Sequence, residues 1–371
     1  MSAPSDAEAR RALARFATGG TLVALEPYTA GHINHSWQAQ FTGEGRATRY
    51  LLQQINRHVF RRPEHVLLNM QRVTGHIRAR LAREGVQDAE RRVPSLCPTR
   101  EGAASHVDER GETWRLLPWI EGTRWAERAA TAADAGTTAR AFGTFLRRLT
   151  DLPAPALHAT IPGFHDTEAR VRTLERVSAA DPRGCAASCR AEIEALFDRR
   201  QLSAAFAAPA AAQALPERPV HNDAKIANVL FDAESGDALA VIDLDTTMPG
   251  LAAHDFGDLV RSSVSDSAED ERDLARVGVR LEVFAALAKG FLEGTGDAIT
   301  PAERGRLVTG ARVIVYEQAV RFLADHLDGD RYYRIARPGH NLDRARAQLA
   351  LLVSIESASP ELERIVAQAA G

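Results

Sequence analysis

Residues 221–231 read HNDAKIANVLF, and residues 241–245 read VIDLD. Asp223 is followed by Asn228, an apolar strand pattern, a turn, and a second apolar strand that runs into Asp243. That order is the layout of a phosphoryl-transfer site. A loose transition state needs little covalent help. It needs one carboxylate facing the acceptor hydroxyl, and hard oxygen ligands through which a metal ion offsets phosphate charge. Asp223 fits the first need. Asn228 and Asp243 fit the second, brought together if the intervening hairpin folds the second strand back beside the first. Asp245, two positions past Asp243 on the strand pattern, is expected on the same face and is a further metal candidate. Lys225 stands where a cation can neutralise the transferred group. The chain holds one other lysine, Lys289, in an otherwise arginine-only basic set, so its placement here is informative. HND alone more often marks a turn or a helix cap. The joint register of Asp223, Lys225, Asn228 and Asp243 carries the reading.

Upstream, residues 21–26 are apolar enough for a strand, and 36–42 alternate Trp37, Ala39 and Phe41 with polar partners. Glycines 43 and 45 turn the chain into 49–55, completing a hairpin. Over 64–83 the apolar positions Val66, Leu67, Met70, Val73, Ile77 and Leu81 recur at helical spacing, and two further strands flank a turn at 108–111. Past Gly122 the segments 134–150, 166–180, 189–208, 271–293, 301–327 and 341–356 read as helices, interrupted by a strand-rich stretch at 218–246, and the alanine-rich 203–215 reads as a surface helix. Strands first and helices afterwards imply an α+β chain whose halves differ. The expected division is an N-terminal lobe of 1–117, a hinge at 118–122, and a larger helical lobe of 123–371 that carries the catalytic loop 221–228 and the metal segment 241–245.

Composition narrows the partners. The 371 residues carry 46 Lys plus Arg against 49 Asp plus Glu, a formal charge of -3, which lacks the basic footprint expected for nucleic acid or an anionic membrane surface. Apolar runs such as ALAVI at 238–242 fall far short of the ~20 residues that cross a bilayer. The first residues have no apolar core of a secretory signal, and Cys97, Cys185 and Cys189 match neither a disulfide framework nor a zinc site. The expectation is a cytoplasmic monomer with small-molecule partners and no obligate protein partner.

HNDAKIANVLFD, with VIDLDTTMPGLAAHDFGDLVR after it, resembles the aminoglycoside phosphotransferase and choline kinase superfamily, and within it the N-acetylhexosamine 1-kinases. The resemblance extends to GHIN at 31–34, LLQQIN at 51–56, FHDT at 164–167 and RFLADHLDGDRYY at 321–333. It implies a bilobal protein-kinase-like fold, with a small antiparallel-sheet N-lobe, a larger mainly helical C-lobe and nucleotide in the cleft, and it implies ATP as co-substrate with Mg2+. Asp255-Phe256-Gly257 spells DFG, but the family's metal-binding aspartate matches Asp243. Asp255 is therefore expected to be structural, capping the following helix or bracing the catalytic loop.

On that plan Leu117 is the gatekeeper, Pro118 offers a backbone C=O and Ile120 an N–H to adenine; proline keeps its carbonyl and lacks only the donor. The absence of any lysine before Lys225 removes the usual strand-three phosphate contact. Gln53 or Gln54 takes that place, hydrogen-bonding phosphate without adding charge. His32, Arg321 and Tyr332 match sugar-contacting positions of the family, beside Asp223. An arginine and a histidine at the acceptor site disfavour polycationic aminoglycosides. The implied activity is transfer from ATP to the anomeric hydroxyl of N-acetylglucosamine or N-acetylgalactosamine. The alternatives are another small alcohol, such as a different hexose or an amino alcohol, or a catalytically silent nucleotide or sugar sensor.

Overall fold

The structure, a computed structural model, describes residues 4–29, 31, 33–43, 45–153, 155–207 and 214–370. Its architecture is α+β: a small antiparallel-sheet N-lobe and a helical C-lobe. The chain divides into two compact units. The first comprises Met1–Arg124, Asp151–Pro162 and Leu230–Met248, and the second the remaining segments. The first crossing falls two residues past the expected 118–122 segment, and 241–245, expected in the helical lobe, belongs to the first unit.

In the first unit, β1 (Thr21–Tyr28), β2 (His35–Gly43), β3 (Arg46–Gln54), β4 (His106–Val107) and β5 (Thr113–Pro118) form an antiparallel sheet in the order β1-β2-β3-β5-β4. The period-two pattern buries Trp37, Ala39 and Phe41 of β2 with Leu52 of β3 and Leu116 of β5. Helix α1 (Asp6–Leu13) adds Ala9, Ala12 and Leu13 to the same core. Its capping box, Ser5 with Glu8, is a local signal that was there to be found. Helix α2 (Pro63–Arg83) buries the six expected positions. A four-residue helix, α3 (Ala89–Arg92), follows. Strand β6 (Thr123–Arg124) pairs antiparallel with β8 (Val229–Asp232), which β9 (Ala238–Val241) extends into a second small sheet in the order β6-β8-β9. The β8–β9 connection is the expected hairpin, closed by the Asp232 N–H donating to the Asp237 carbonyl at 2.8 Å.

In the second unit, α4 (Ala132–Arg148) starts at a capping box of Thr131 and Asp134. Next come α5 (Thr167–Ala180), α6 (Arg190–Phe197), strand β7 (Arg218–Val220), α7 (Ala252–Ser263), α8 (Leu281–Thr295), α9 (Pro301–Arg304), α10 (Leu307–Asp328) and α11 (His340–Ala370), while β10 (Met248–Gly250) pairs with β7 at the unit boundary. Helix α10 buries residues on every face, as a central helix does, and packs against α5, α7 and α11. The α4–α8 crossing is unusually close: a Cβ on Gly143, Gly290 or Gly294 would lie 2.1–2.4 Å from a backbone oxygen of the facing helix. Gly257 of α7 and Gly310 of α10 permit a similar approach.

Three expectations are corrected. Residues 271–280 hold only a 3-10 turn at Leu274–Arg276, and α8 begins at Leu281; the charged run EDERD at 269–273 gives no apolar face to bury. The 189–208 segment is helical only to Phe197, with a 3-10 turn at Arg200–Ala204, and residues 208–213 of the alanine-rich stretch lie outside the described residues. Helix α11 continues to Ala370 through Pro360, its later turns held by buried Leu362 and Val366.

Candidate active site

The catalytic loop lies in the second unit. His221 is fully buried, edge-on to Phe142 and Phe145. Asn222 follows in the left-handed region at φ 62°, a conformation that asparagine tolerates. The backbone N–H groups of His221 and Asn222 donate to the two carboxylate oxygens of Asp255, at 2.9 and 2.7 Å. Asp255 is buried inside α7, so it braces the loop and caps no helix. Gly250 lets the loop sit this close: a Cβ there would lie 2.7 Å from the Asn222 side-chain oxygen.

Beyond the brace, Asp223 is half-buried, and Lys225 Nζ donates to both of its oxygens at 3.0 and 2.8 Å. Asn228 spends both amide hydrogens on the same residue, one on the Asp223 carbonyl at 2.8 Å and one on Oδ2 at 2.9 Å. Its own side-chain carbonyl, a hard oxygen, is thereby turned away from Asp223. Burial alone would raise the Asp223 carboxyl. The charge and hydrogen bonds of Lys225, with His221 and Asn228, outweigh burial and hold it down to about 2. The group is ionised throughout the neutral range.

The segment 241–245 lies in the first unit. Asp243 and Asp245 do not share a strand face: β9 ends at Val241, Asp243 takes a left-handed conformation (φ 58°, ψ 56°), and Leu244–Thr246 is a 3-10 turn. The period-two argument therefore stops before it reaches either aspartate. Asp243 is exposed and Asp245 buried. Both oxygens of Asp245 are taken by Arg115, at 2.5 and 3.0 Å, and Oδ2 also accepts from Asn34 at 2.8 Å. The left-handed backbone at Asp243 is the kind of local cost that recurs at functional positions.

The proposed nucleotide residues are in the same unit. Gln53 pairs with Arg115 across β3 and β5, accepts from its Nε and Nη2 at 2.9 and 2.8 Å, and donates to Ser36 at 3.1 Å. Gln54 is buried beside it in the register, opposite Trp114. Leu117 is buried opposite Leu51. The Trp119 N–H donates to Arg49, on the β3 side, and the Leu116 carbonyl accepts from Cys97 on the other. By strand alternation the Pro118 carbonyl faces that other side as well. Ile120 is buried with Leu239 and Ala240, and its carbonyl accepts from Thr123.

The acceptor candidates divide. His32 lies outside the described residues. Arg321 and Tyr332 are brought together in the second unit: the Arg321 guanidinium lies 5.5–5.7 Å from the rings of Phe164, Tyr332 and Tyr333 and donates to Gln318 at 3.2 Å. One turn earlier on α10, buried Glu317 accepts from Thr167 at 2.6 Å and sits 3.1 Å from His165 Nδ1. All four FHDT residues are thereby explained: Phe164, His165 and Thr167 dock on α10, and Asp166 caps α5 through Ala169 N–H. Asn34 and Asn56 of the GHIN and QQIN stretches interlock, Asn56 N–H donating to Asn34 at 3.0 Å.

Among the described residues there is no group of three or more His, Cys, Asp or Glu side chains able to hold a metal. The Asn228 side-chain carbonyl in the second unit and the Asp243 carboxylate in the first are each a hard oxygen, the donor type Mg2+ takes. No helix among the described residues is long and apolar enough to cross a membrane.

A braced Asp-Lys-Asn loop on a helical lobe, with an antiparallel-sheet lobe before it, defines a kinase-like phosphotransferase. Residues 24–292 match the phosphotransferase enzyme family known as APH, and the chain belongs to that family. Solved structures agree on the fold. An aminoglycoside phosphotransferase from Alicyclobacillus acidocaldarius is similar with a TM-score of 0.56 at 17% identity, over 97% of this chain and 96% of that one. An ethanolamine kinase from Plasmodium vivax gives 0.53 at 13% identity, over 88% and 82%. Aminoglycoside 2'-phosphotransferase-IIIa, in its GDP complex, gives 0.52 at 12% identity, over 89% and 93%.

Proposed function

We propose that the protein is an ATP-dependent kinase that phosphorylates the anomeric hydroxyl of N-acetylglucosamine or N-acetylgalactosamine, giving the sugar 1-phosphate and ADP. The observation that carries the chemistry is the Asp223–Lys225–Asn228 constellation. Asp223 accepts a hydrogen bond from the acceptor hydroxyl and takes its proton as the new P–O bond forms and the bond to the ADP leaving group breaks. An ionised carboxylate takes that proton late, which suits a loose transition state in which the acceptor oxygen gains little positive charge until bond formation is advanced. Lys225, now paired with Asp223, supplies the cation for the transferred phosphoryl group. Asn228 and Asp243 each offer a hard oxygen to Mg2+, which when bound offsets phosphate charge; Asp245 is committed to Arg115 and Asn34 and is assigned to holding the segment. Pro118 and Ile120 are assigned to adenine, Leu117 to the pocket behind it, and Gln53 and Gln54 to the region of the phosphates.

For the acceptor, Arg321 within an aromatic cage, with exposed Tyr332 at its edge, favours a neutral hydroxylated ring that offers an apolar face to tyrosine and oxygens to guanidinium. His32 is assigned to the same acceptor by the resemblance. The same cation argues against the second reading, an amino alcohol or aminoglycoside acceptor, although relatives of this fold carry those names. Phosphorus NMR of reactions containing Mg-ATP with N-acetylglucosamine, N-acetylgalactosamine, glucose, galactose or ethanolamine tests the assignment. A phosphate coupled to an anomeric proton supports it; phosphorylated ethanolamine with unchanged sugars overturns it.

A further inference from the structure

We infer that Asp325 is a positioning residue for acceptor recognition, a role that rests on the assignment of Arg321 and Tyr332 to the acceptor. Helix α10 ends at Asp328, and Gly329 and Asp330 follow in the left-handed region with φ 104° and 57°. These two residues reverse the chain, so that successive backbone N–H groups converge on one residue. The Asp330 N–H donates to the Asp325 carbonyl at 2.8 Å. The N–H groups of Arg331 and Tyr332 donate to Asp325 Oδ1 at 2.9 and 2.8 Å, and that of Tyr333 to Oδ2 at 2.9 Å. Asn341 of α11 completes the set, donating to Asp325 Oδ2 at 3.0 Å and to Asp330 Oδ1 at 2.9 Å, and the other Asp330 oxygen accepts from Arg183 at 2.7 Å.

A carboxylate in the last turn of a helix faces the negative end of the dipole, so helix stability alone would not place one there. The converging N–H groups supply the compensation. The product is a fixed loop: Tyr332 and Tyr333 pack edge to face at 4.8 Å and both lie against the Arg321 guanidinium. Tyr332 itself is 59% exposed, so its ring is placed mainly by its backbone and by these two neighbours, while Asp325, 7% exposed, is beyond the reach of an acceptor stacked on that ring. Asp325 therefore acts through Tyr332 and Tyr333.

The test compares wild-type protein with Asp325→Asn and Asn341→Ala, each checked for an intact thermal transition. Asp325→Asn keeps the shape but puts a donating amide NH2 where an N–H needs an acceptor; Asn341→Ala removes one tie and leaves the carboxylate, covering the case in which the first variant does not fold. Hydrogen exchange at the amides of 331–333 should accelerate by about ten-fold or more in Asp325→Asn while α10 amides keep their protection. KM for the sugar should rise by about ten-fold or more with kcat and the KM for ATP little changed, since a misplaced binding group weakens positioning without removing chemistry. Asn341→Ala should move both readouts in the same direction by less. Unchanged exchange and unchanged sugar KM in the folded variants overturn the inference, as do parallel changes in both KM values and kcat, which mark general damage. Wild-type protein that phosphorylates none of the sugars overturns the acceptor reading and this inference with it, and is told apart from failure of the inference alone, in which wild-type is active and the variants share its sugar KM.

Discussion

Two aspartates two positions apart have opposite fates. Asp243 is exposed in a left-handed conformation, whereas Asp245 is buried in a bidentate pair with Arg115. Removing one partner of such a pair strands the other charge in the interior, so Arg115→Gln or Asp245→Asn should cost ~3–5 kcal/mol in urea denaturation. Replacing both by apolar residues should cost less than either alone; a double variant as unstable as the sum of the singles would contradict the pairing. At Asp223 the expected effect is on turnover and not on the fold. Asp223→Asn keeps the size and loses the proton acceptor, and kcat should fall by about 10²-fold or more, with nucleotide affinity by calorimetry close to wild-type. Retained turnover would remove Asp223 from its role.

At the scale of elements, the helical lobe depends on helices that meet backbone to backbone. Gly257 faces Gly310, where a Cβ would sit 2.5 Å from the Gly310 carbonyl oxygen. Gly257→Ala must push α7 away from α10, an overpacking cost of about 1–3 kcal/mol. Because α7 also carries Asp255, whose carboxylate holds the N–H groups of His221 and Asn222, the displacement reaches the catalytic loop. The variant should therefore lower both the melting temperature and kcat, whereas Gly290→Ala, at the α4–α8 crossing, should lower the melting temperature with a smaller change in kcat. Equal losses of kcat at matched stability would show that the α7 brace has no special part. Most of these elements were readable from periodicity, because one buried face leaves its spacing in the chain. Helix α7, anticipated only as a helix after Asp255, gave no periodic signal of its own: Asp255 and Asp258 are buried polar residues on what should be an apolar face.

For the whole molecule, the buried ionisable groups of α10 and α7 set a sensitivity to acid. Burial opposes ionisation of Glu317, but His165, Arg321 and Thr167 overcome it and hold the carboxyl down to about 2. Its folded-state value lies below its unfolded one, so its stabilisation is present above pH ~4.5 and is lost as pH falls towards 2. Burial, helped by His165, pushes His254 down to about 3, so it stays neutral in the fold while the unfolded chain takes up a proton below pH ~6.5. Both groups make stability decline on acidification, His254 first. Calorimetry at pH 7.5, 5.5 and 4 should show a shallower decline for His254→Asn between 7.5 and 5.5, and for Glu317→Gln below pH 4.5. A decline identical to wild-type in both variants would place the acid sensitivity elsewhere.

The sequence by itself determined the grouping of Asp223, Lys225 and Asn228 in one loop, the hairpin after it, the sheet-then-helix order and the likeness to phosphotransferases, because each depends on residues near one another in the chain whose spacing is a consequence of turn, strand or helix geometry. It also singled out Arg321 and Tyr332, but gave no sign of what holds them. Only the tertiary structure decided that Arg115 takes Asp245, 130 positions away, that Asn34 reaches the same carboxylate across 211, and that Glu317 accepts from Thr167 across 150. A charged side chain carries no mark of its partner. In the interior, desolvation requires that a partner be found, and packing of distant elements selects which one it is.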